Sequence, residues 1–198
     1  MPSLLLATRN AHKTTEIRAI LGGEWEVTDL SAHPEWPDVD ETGSSFADNA
    51  ALKALAASAR LPGAWVAADD SGLEVDALGG APGVQSARYA GAGATDAANR
   101  ERLLGEMSRV DPAAPRSARF HCVIALARDG RVEVSFDGAV EGSIIDRERG
   151  ENGFGYDPLF IPQGYQDTFG ELPAAVKNGM SHRGRALAKV IAYLRTRS

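Results

Sequence analysis

Two apolar-rich runs, residues 119–128 and 132–140, are joined by Asp129-Gly130, and no other feature restricts the fold of this chain as strongly. Asp-Gly at that point supplies the positive φ angles of a type I′ turn, so the spacing predicts a long β-hairpin. The first half reads differently. Leu4-Leu5-Leu6-Ala7 is a short apolar strand followed by the polar turn Thr8-Arg9-Asn10. Thr14, Ile17, Ile20 and Leu21 then recur at helical spacing until Gly22-Gly23 stops the helix. Residues 31–44, with Pro34 and Pro37, read as a surface loop. Ser45-Phe46-Ala47-Asp48 opens a second helix reaching about Ala59, with Phe46, Ala50, Lys53, Ala54 and Ala57 on one stripe. Trp65-Val66-Ala67-Ala68 predicts a strand that ends in Asp69-Asp70-Ser71-Gly72. Thr95 is placed to cap a helix running to about Met107, Leu159-Phe160-Ile161 reads as a short strand, and Ala186, Leu187, Val190, Ile191 and Leu194 mark a terminal helix. Strand-helix alternation followed by a hairpin predicts an α/β fold on a mixed central β-sheet flanked by helices, in one domain over residues 1–198.

Composition narrows the function. Hydrophobic residues at 43% and charged residues at 24% are ordinary for a globular chain of 198 residues. A formal net charge of -6 argues against coating a nucleic acid through phosphate neutralisation, though a few cations converging locally can still hold a small polyphosphate. Cys122 is the single cysteine, so no intramolecular disulfide forms, and its apolar neighbours predict a buried strand position. The N-terminal apolar run is too short for a signal peptide and no stretch approaches a membrane span, so a cytoplasmic location with no membrane partner is expected.

Four segments carry polar groups suited to chemistry. Asp69-Asp70 at the end of an apolar strand places two carboxylates side by side, which is unfavourable unless a cation or hydrogen-bond donors compensate. Mg²⁺ suits such a pair, since it takes one or two carboxylates and completes its shell with water and phosphate oxygens; the competing reading is a turn cap with Gly72 at positive φ. Thr8-Arg9-Asn10 through Lys13 leaves a strand and opens a helix, a place where free N–H groups and a lysine can receive a phosphate, or where Asn10 is simply the N-cap. Asn49 and Lys53, four apart on one helix face, accompany Glu41 in the preceding loop. Gly153-Phe154-Gly155-Tyr156-Asp157 sets an aromatic between glycines, where a base can stack on its face, or where a tight turn simply carries a core aromatic. Lys177 and Ser181-His182-Arg183-Gly184 set a basic cluster at the start of the terminal helix, where cations oppose the helix dipole.

These segments in this order closely resemble the Ham1/RdgB family of inosine triphosphate pyrophosphatases. The resemblance adds Gly79-Gly80-Ala81-Pro82-Gly83 and Ser86-Ala87-Arg88-Tyr89 and runs over nearly the whole chain. It implies an elongated mixed α/β structure of two lobes with a cleft between them, a homodimer, and a reaction: a purine nucleoside triphosphate such as ITP, dITP or XTP plus water gives the monophosphate and pyrophosphate. By the same resemblance Thr8, Arg9, Asn10, Ala11, His12 and Lys13 hold the triphosphate. Glu41 and Asp70 serve Mg²⁺, Asp70 accepts a proton from water, and Lys53, Ser71 and Lys177 bind phosphates or sugar. Phe154, Gly155, Tyr156, Asp157, His182 and Arg183 recognise the base. Arg9 stands where the family often has glycine, and Glu151-Asn152 replaces smaller residues.

The chemistry agrees with those roles. Phosphoanhydride hydrolysis is accelerated by positioning and charge neutralisation, so cations, a metal and one base suffice without a nucleophilic side chain. His182 and Arg183 can donate to the carbonyl of a 6-oxo purine, whereas adenine leaves such donors unpaired. Two rivals stand beside this reading: a Maf-like pyrophosphatase acting on pyrimidine or modified nucleotides, and a nucleotide-binding regulatory module without turnover.

Overall fold

The computed structural model describes residues 2–197, and its six strands form one mixed sheet in the order β2-β1-β3-β4-β5-β6. The strands are β1 (Ser3–Leu6), β2 (Glu26–Asp29), β3 (Trp65–Val75), β4 (Ser117–Arg128), β5 (Arg131–Ile144) and β6 (Phe160–Pro162). The helices are α1 (Ala11–Leu21), α2 (Phe46–Ser58), α3 (Asp96–Met107), α4 (Ala174–Met180) and α5 (His182–Arg195). β1 pairs in parallel with both β2 and β3, and β5 pairs antiparallel with β6. Asp129 and Gly130 have φ of 51° and 71°, the two positive values a type I′ connection requires, and the β4–β5 hairpin stands as expected.

The chain divides into two compact units. The first runs to Asp70 and adds Cys122–Gly138 and the segment from Arg183 onward; the second comprises Ser71–His121 and Ala139–His182. Each has its own apolar core. In the first, Leu4 and Leu6 of β1, Ile17 and Leu21 of α1, Cys122, Ile124 and Leu126 of β4, and Ala186, Leu187, Val190 and Leu194 of α5 pack together. Burial pushes the Cys122 thiol up to about 12, so it serves as packing rather than as a reactive group. In the second, Leu73 and Val75 of β3 and Leu103 and Met107 of α3 pack with Phe120, Phe160 and Phe169. Among the described residues no helix is long and apolar enough to cross a membrane.

The helix caps formed as the sequence predicts. Asn10 Oδ1 accepts from the backbone N–H groups of His12 and Lys13, Ser45 Oγ from that of Asp48, and Thr95 Oγ1 from that of Ala98. Three expectations need correction. β2 and α4 have no counterpart in the sequence reading: each is short, and β2 exists through its pairing with β1 rather than through a pattern of its own. β3 does not end at the carboxylates; it continues through Asp69-Asp70-Ser71-Gly72 to Val75. The turn reading of that motif therefore fails, and Gly72 is not at positive φ. It is required by close approach instead, because a Cβ there would run into Ser86 Oγ and the carbonyl of Gly83.

Candidate active site

In the first unit, an interlocked set of charges forms where β3 passes α1, α2 and the start of α5. Asp69 and Asp70, consecutive on β3, point their carboxylates to opposite sides of the strand, as the period of two dictates. Asp69 is 4% exposed and its Oδ2 takes three cationic donors: Lys13 Nζ at 3.0 Å, Arg183 Nη2 at 3.0 Å and Arg183 Nε at 3.3 Å. Burial alone would raise its pKa, but Lys13, Arg183 and Lys53 outweigh it and hold the carboxyl far below the usual range. Arg183 is 1% exposed and also pairs with Glu16 of α1. A cation in the first turn of α5 opposes the dipole, and these two carboxylates offset it.

Asp70 has the opposite character. Its Oδ2 accepts from Asn49 Nδ2 at 3.1 Å and its Oδ1 from Lys53 Nζ at 3.3 Å. Burial raises its pKa against Lys53 and Lys13, the negative charge of Glu41 adds to the rise, and the net shift is upward. The pKa values of adjacent carboxylates are thus driven in opposite directions, Asp69 downward by its cations and Asp70 upward by burial, the pattern expected where acid-base roles are divided. Lys53 ties the set together: its Nζ donates to Glu41 Oε1 at 2.7 Å, the Asp69 carbonyl at 2.8 Å and Asp70 Oδ1. Its side chain is 14% exposed, enclosed by these oxygens rather than extended into solvent.

Asn49 is fully buried and faces two ways. Its Nδ2 meets Asp70 while its Oδ1 accepts from the Gly43 N–H at 2.8 Å, so one side chain joins the loop carrying Glu41 to the strand carrying Asp70. Gly43 is required here, since a Cβ would lie 2.7 Å from Asn49 Oδ1. Asn49→Leu keeps the size but strands both partners, and a loss of about 1–3 kcal/mol in unfolding free energy is expected. An unchanged urea midpoint would show that these bonds contribute nothing.

The first loop is more committed than its sequence suggests. Two first-turn N–H groups of α1, those of His12 and Lys13, are already taken by Asn10. Arg9 turns to the 30–38 segment, with Nε 2.9 Å from Asp38 Oδ1, Nη1 donating to the Leu30 carbonyl at 2.8 Å and Nη2 to the Trp36 carbonyl at 2.6 Å. The side chain thereby anchors that loop. Thr8 Oγ1 accepts from the Asn10 N–H at 3.1 Å, while Ala11 and His12 are exposed.

In the second unit, Lys177 and Asp157 form a buried pair, Nζ to Oδ2 2.6 Å, with side chains 4% and 3% exposed. Asp157 Oδ2 also accepts from the Phe154 N–H at 2.8 Å, and Lys177 Nζ lies 5.1 Å from the Phe154 ring centroid. Tyr156 is buried and donates to the Ser86 carbonyl at 2.9 Å. His182 stacks on Phe120 at 4.9 Å between centroids with a 12° interplanar angle. Ser71, the residue after Asp70, is half-buried on β3.

The predicted residues thus fall into two groups. Lys13, Glu41, Lys53, Asp70 and Arg183 gather in the first unit, and Phe154, Tyr156, Asp157, Lys177 and His182 in the second. Sequence reasoning missed Glu16, Asp96 and Arg100; Glu16 is detectable only as a carboxylate one turn beyond Lys13 on α1.

Two carboxylates, Glu41 and Asp70, sharing one ammonium provide the hard oxygen donors a magnesium ion uses. Lys13 and Arg183 engage Oδ2 of the neighbouring Asp69. Among the described residues no cluster of three or more His, Cys, Asp or Glu is placed to hold a metal ion.

Comparison with known proteins gives the family. A family model described as Ham1 family matches residues 4–193. The dITP/XTP pyrophosphatase of Geobacter sulfurreducens is 48% identical over 189 residues, covering 95% of this chain and 94% of that protein. The protein of that name from Geobacillus kaustophilus is 49% identical over 191 residues, covering 96% and 93%. The solved structure of a HAM1 protein from Coxiella burnetii superposes with a TM-score of 0.87 at 41% identity over 99% of this chain and 100% of that one. With fold, motif order and near-complete coverage in agreement, the chain belongs to the Ham1 family.

Proposed function

We propose that this protein hydrolyses non-canonical purine nucleoside triphosphates, ITP, dITP and XTP, to the monophosphate and pyrophosphate, and so removes them from the nucleotide pool. The observation that carries this reading is Asp70: a buried carboxylate with a raised pKa, held by Asn49 and Lys53 in a chain of the Ham1 family. In the proposed reaction the bond between the α and β phosphates breaks, water supplies the hydroxyl to one product, and Asp70 Oδ1 or Oδ2 takes the proton that water loses. Thr8, Arg9, Asn10, Ala11, His12, Lys13, Lys53 and Ser71 are the proposed contacts for phosphate and sugar, together with Lys177. Phe154, Gly155, Tyr156, Asp157, His182 and Arg183 are those for the base.

Charge balance argues for a divalent ion. Lys13, Lys53 and Arg183 face Glu16, Glu41, Asp69 and Asp70, one more carboxylate than cation. A triphosphate brought to that set finds no surplus positive charge. When bound, magnesium supplies the missing countercharge, and Glu41 and Asp70 are the residues that would hold it. Lys53, which donates to those two carboxylates, would be the cation nearest to the phosphate oxygens there. A cytoplasmic homodimer is the proposed working form.

The test is a panel of nucleoside triphosphates assayed for monophosphate and pyrophosphate with and without magnesium. Strong magnesium-dependent pyrophosphate release from ITP, dITP and XTP with slow ATP turnover is expected. Equal ITP and ATP turnover, or release of inorganic phosphate in place of pyrophosphate, would overturn the reading.

A further inference from the structure

The segment proposed to read the base is fastened by a helix that contributes nothing to the proposed contacts. Gly155 has a φ of +60° and open space around the position a Cβ would take, so packing does not fix its backbone. Two side chains one turn apart on α3 do so instead. The Gly155 N–H donates to Asp96 Oδ2 at 2.7 Å, and Arg100 Nη1 donates to the Gly155 carbonyl at 2.9 Å. Arg100 is itself aligned by Glu148, with Nε 2.9 Å from Oε1. Residues at i and i+4 share a helix face, so both can reach one amino acid, engaging its N–H and its C=O together.

The neighbours are held from elsewhere: Phe154 through its N–H to Asp157, and Tyr156 through its phenol to the Ser86 carbonyl. Without the α3 contacts the two linkages around Gly155 would regain the freedom that makes glycine entropically expensive to order. The turn carrying Phe154 and Asp157, closed on itself by their own hydrogen bond, would then lose its fastening to α3.

We propose that Asp96 and Arg100 are positioning residues for base selection, clamping Gly155 so that the 154–157 segment distinguishes a 6-oxo purine from a 6-amino purine. The inference rests on the pyrophosphatase reading above and extends it to two residues that touch no substrate. Selectivity then depends on α3, and it can change without a change in any contacting residue.

The test compares Asp96→Ala and Arg100→Met with Asp96→Asn, which retains an acceptor oxygen, and Arg100→Lys, which retains a donor. For the first two, KM for ITP is expected to rise about tenfold with kcat within about twofold, and the ITP-to-ATP ratio of kcat/KM to fall about tenfold, in the range one misplaced polar contact commands. Asp96→Asn should return most of the ratio. Thermal midpoints report folding, and the conservative variants keep the proposal open to refutation should the truncations unfold. An unchanged ratio in folded variants, or ITP and ATP declining in parallel, overturns the clamp while leaving the pyrophosphatase intact. A wild-type enzyme that turns over ITP and ATP equally overturns the reading beneath it.

Discussion

Asp70→Asn is expected to lower kcat about a thousandfold at saturating magnesium and ITP, the order a positioned general base contributes. The same substitution should leave the protein at least as stable. The pKa of Asp70 is raised in the folded state, so its ionised form is disfavoured there, and stability present at low pH is lost as pH rises from the unfolded value through the folded one. Removing the charge removes that loss and offsets the one hydrogen bond given up, because the amide oxygen can accept from Lys53 or from Asn49 but not from both. Activity and stability should therefore move apart: steady-state rates collapse while the thermal midpoint at neutral pH holds or rises. Turnover within tenfold of wild type would remove Asp70 as proton acceptor.

Arg183→Met is expected to give the largest loss of stability. The arginine is 1% exposed, and its removal leaves the buried carboxylate of Asp69 with Lys13 as its remaining strong partner. Breaking a buried pair from one side costs about 3–5 kcal/mol when the remaining charge is left alone, and Lys13, 3.0 Å from Asp69, places the expected loss toward the lower end. The double variant Asp69→Leu with Arg183→Met should regain part of the loss, because it removes the fully buried carboxylate, while Lys13 and Glu16, whose side chains are 15% and 14% exposed, give up those partners nearer the solvent. The pH dependence has a defined sign. The folded pKa of Asp69 lies below its unfolded value of about 4, so its contribution is complete above that value and is lost as pH falls toward the folded one. Asp69→Asn should flatten that part of the acid stability profile. Chemical denaturation from neutral to acid pH measures both effects, and a midpoint for Arg183→Met equal to wild type would rule out the pair as a structural support.

These two residues also mark where sequence reasoning stops. Arg183 is recognisable in the chain as part of Ser181-His182-Arg183-Gly184, and its motif implies base recognition. In the structure its guanidinium is enclosed by Asp69 and Glu16, residues 114 and 167 positions away. No local pattern encodes those distances. Lys53 is similar: its place on an alanine-rich stripe is visible in the sequence, but that its ammonium joins Glu41 to Asp70 is not.

The sequence alone determined what depends on neighbours along the chain. The Asp129-Gly130 turn, the Asn10, Ser45 and Thr95 caps, the apolar stripes of α1 and α5 and the family motifs all follow from propensities acting within a few residues. Tertiary structure decided the rest. It extended β3 beyond its carboxylates, formed β2 against β1, and gave adjacent Asp69 and Asp70 opposite protonation behaviour. The physical reason is that strand pairing and desolvation are set by groups distant in the chain, and a carboxylate's charge state reflects its enclosure rather than its neighbours in sequence.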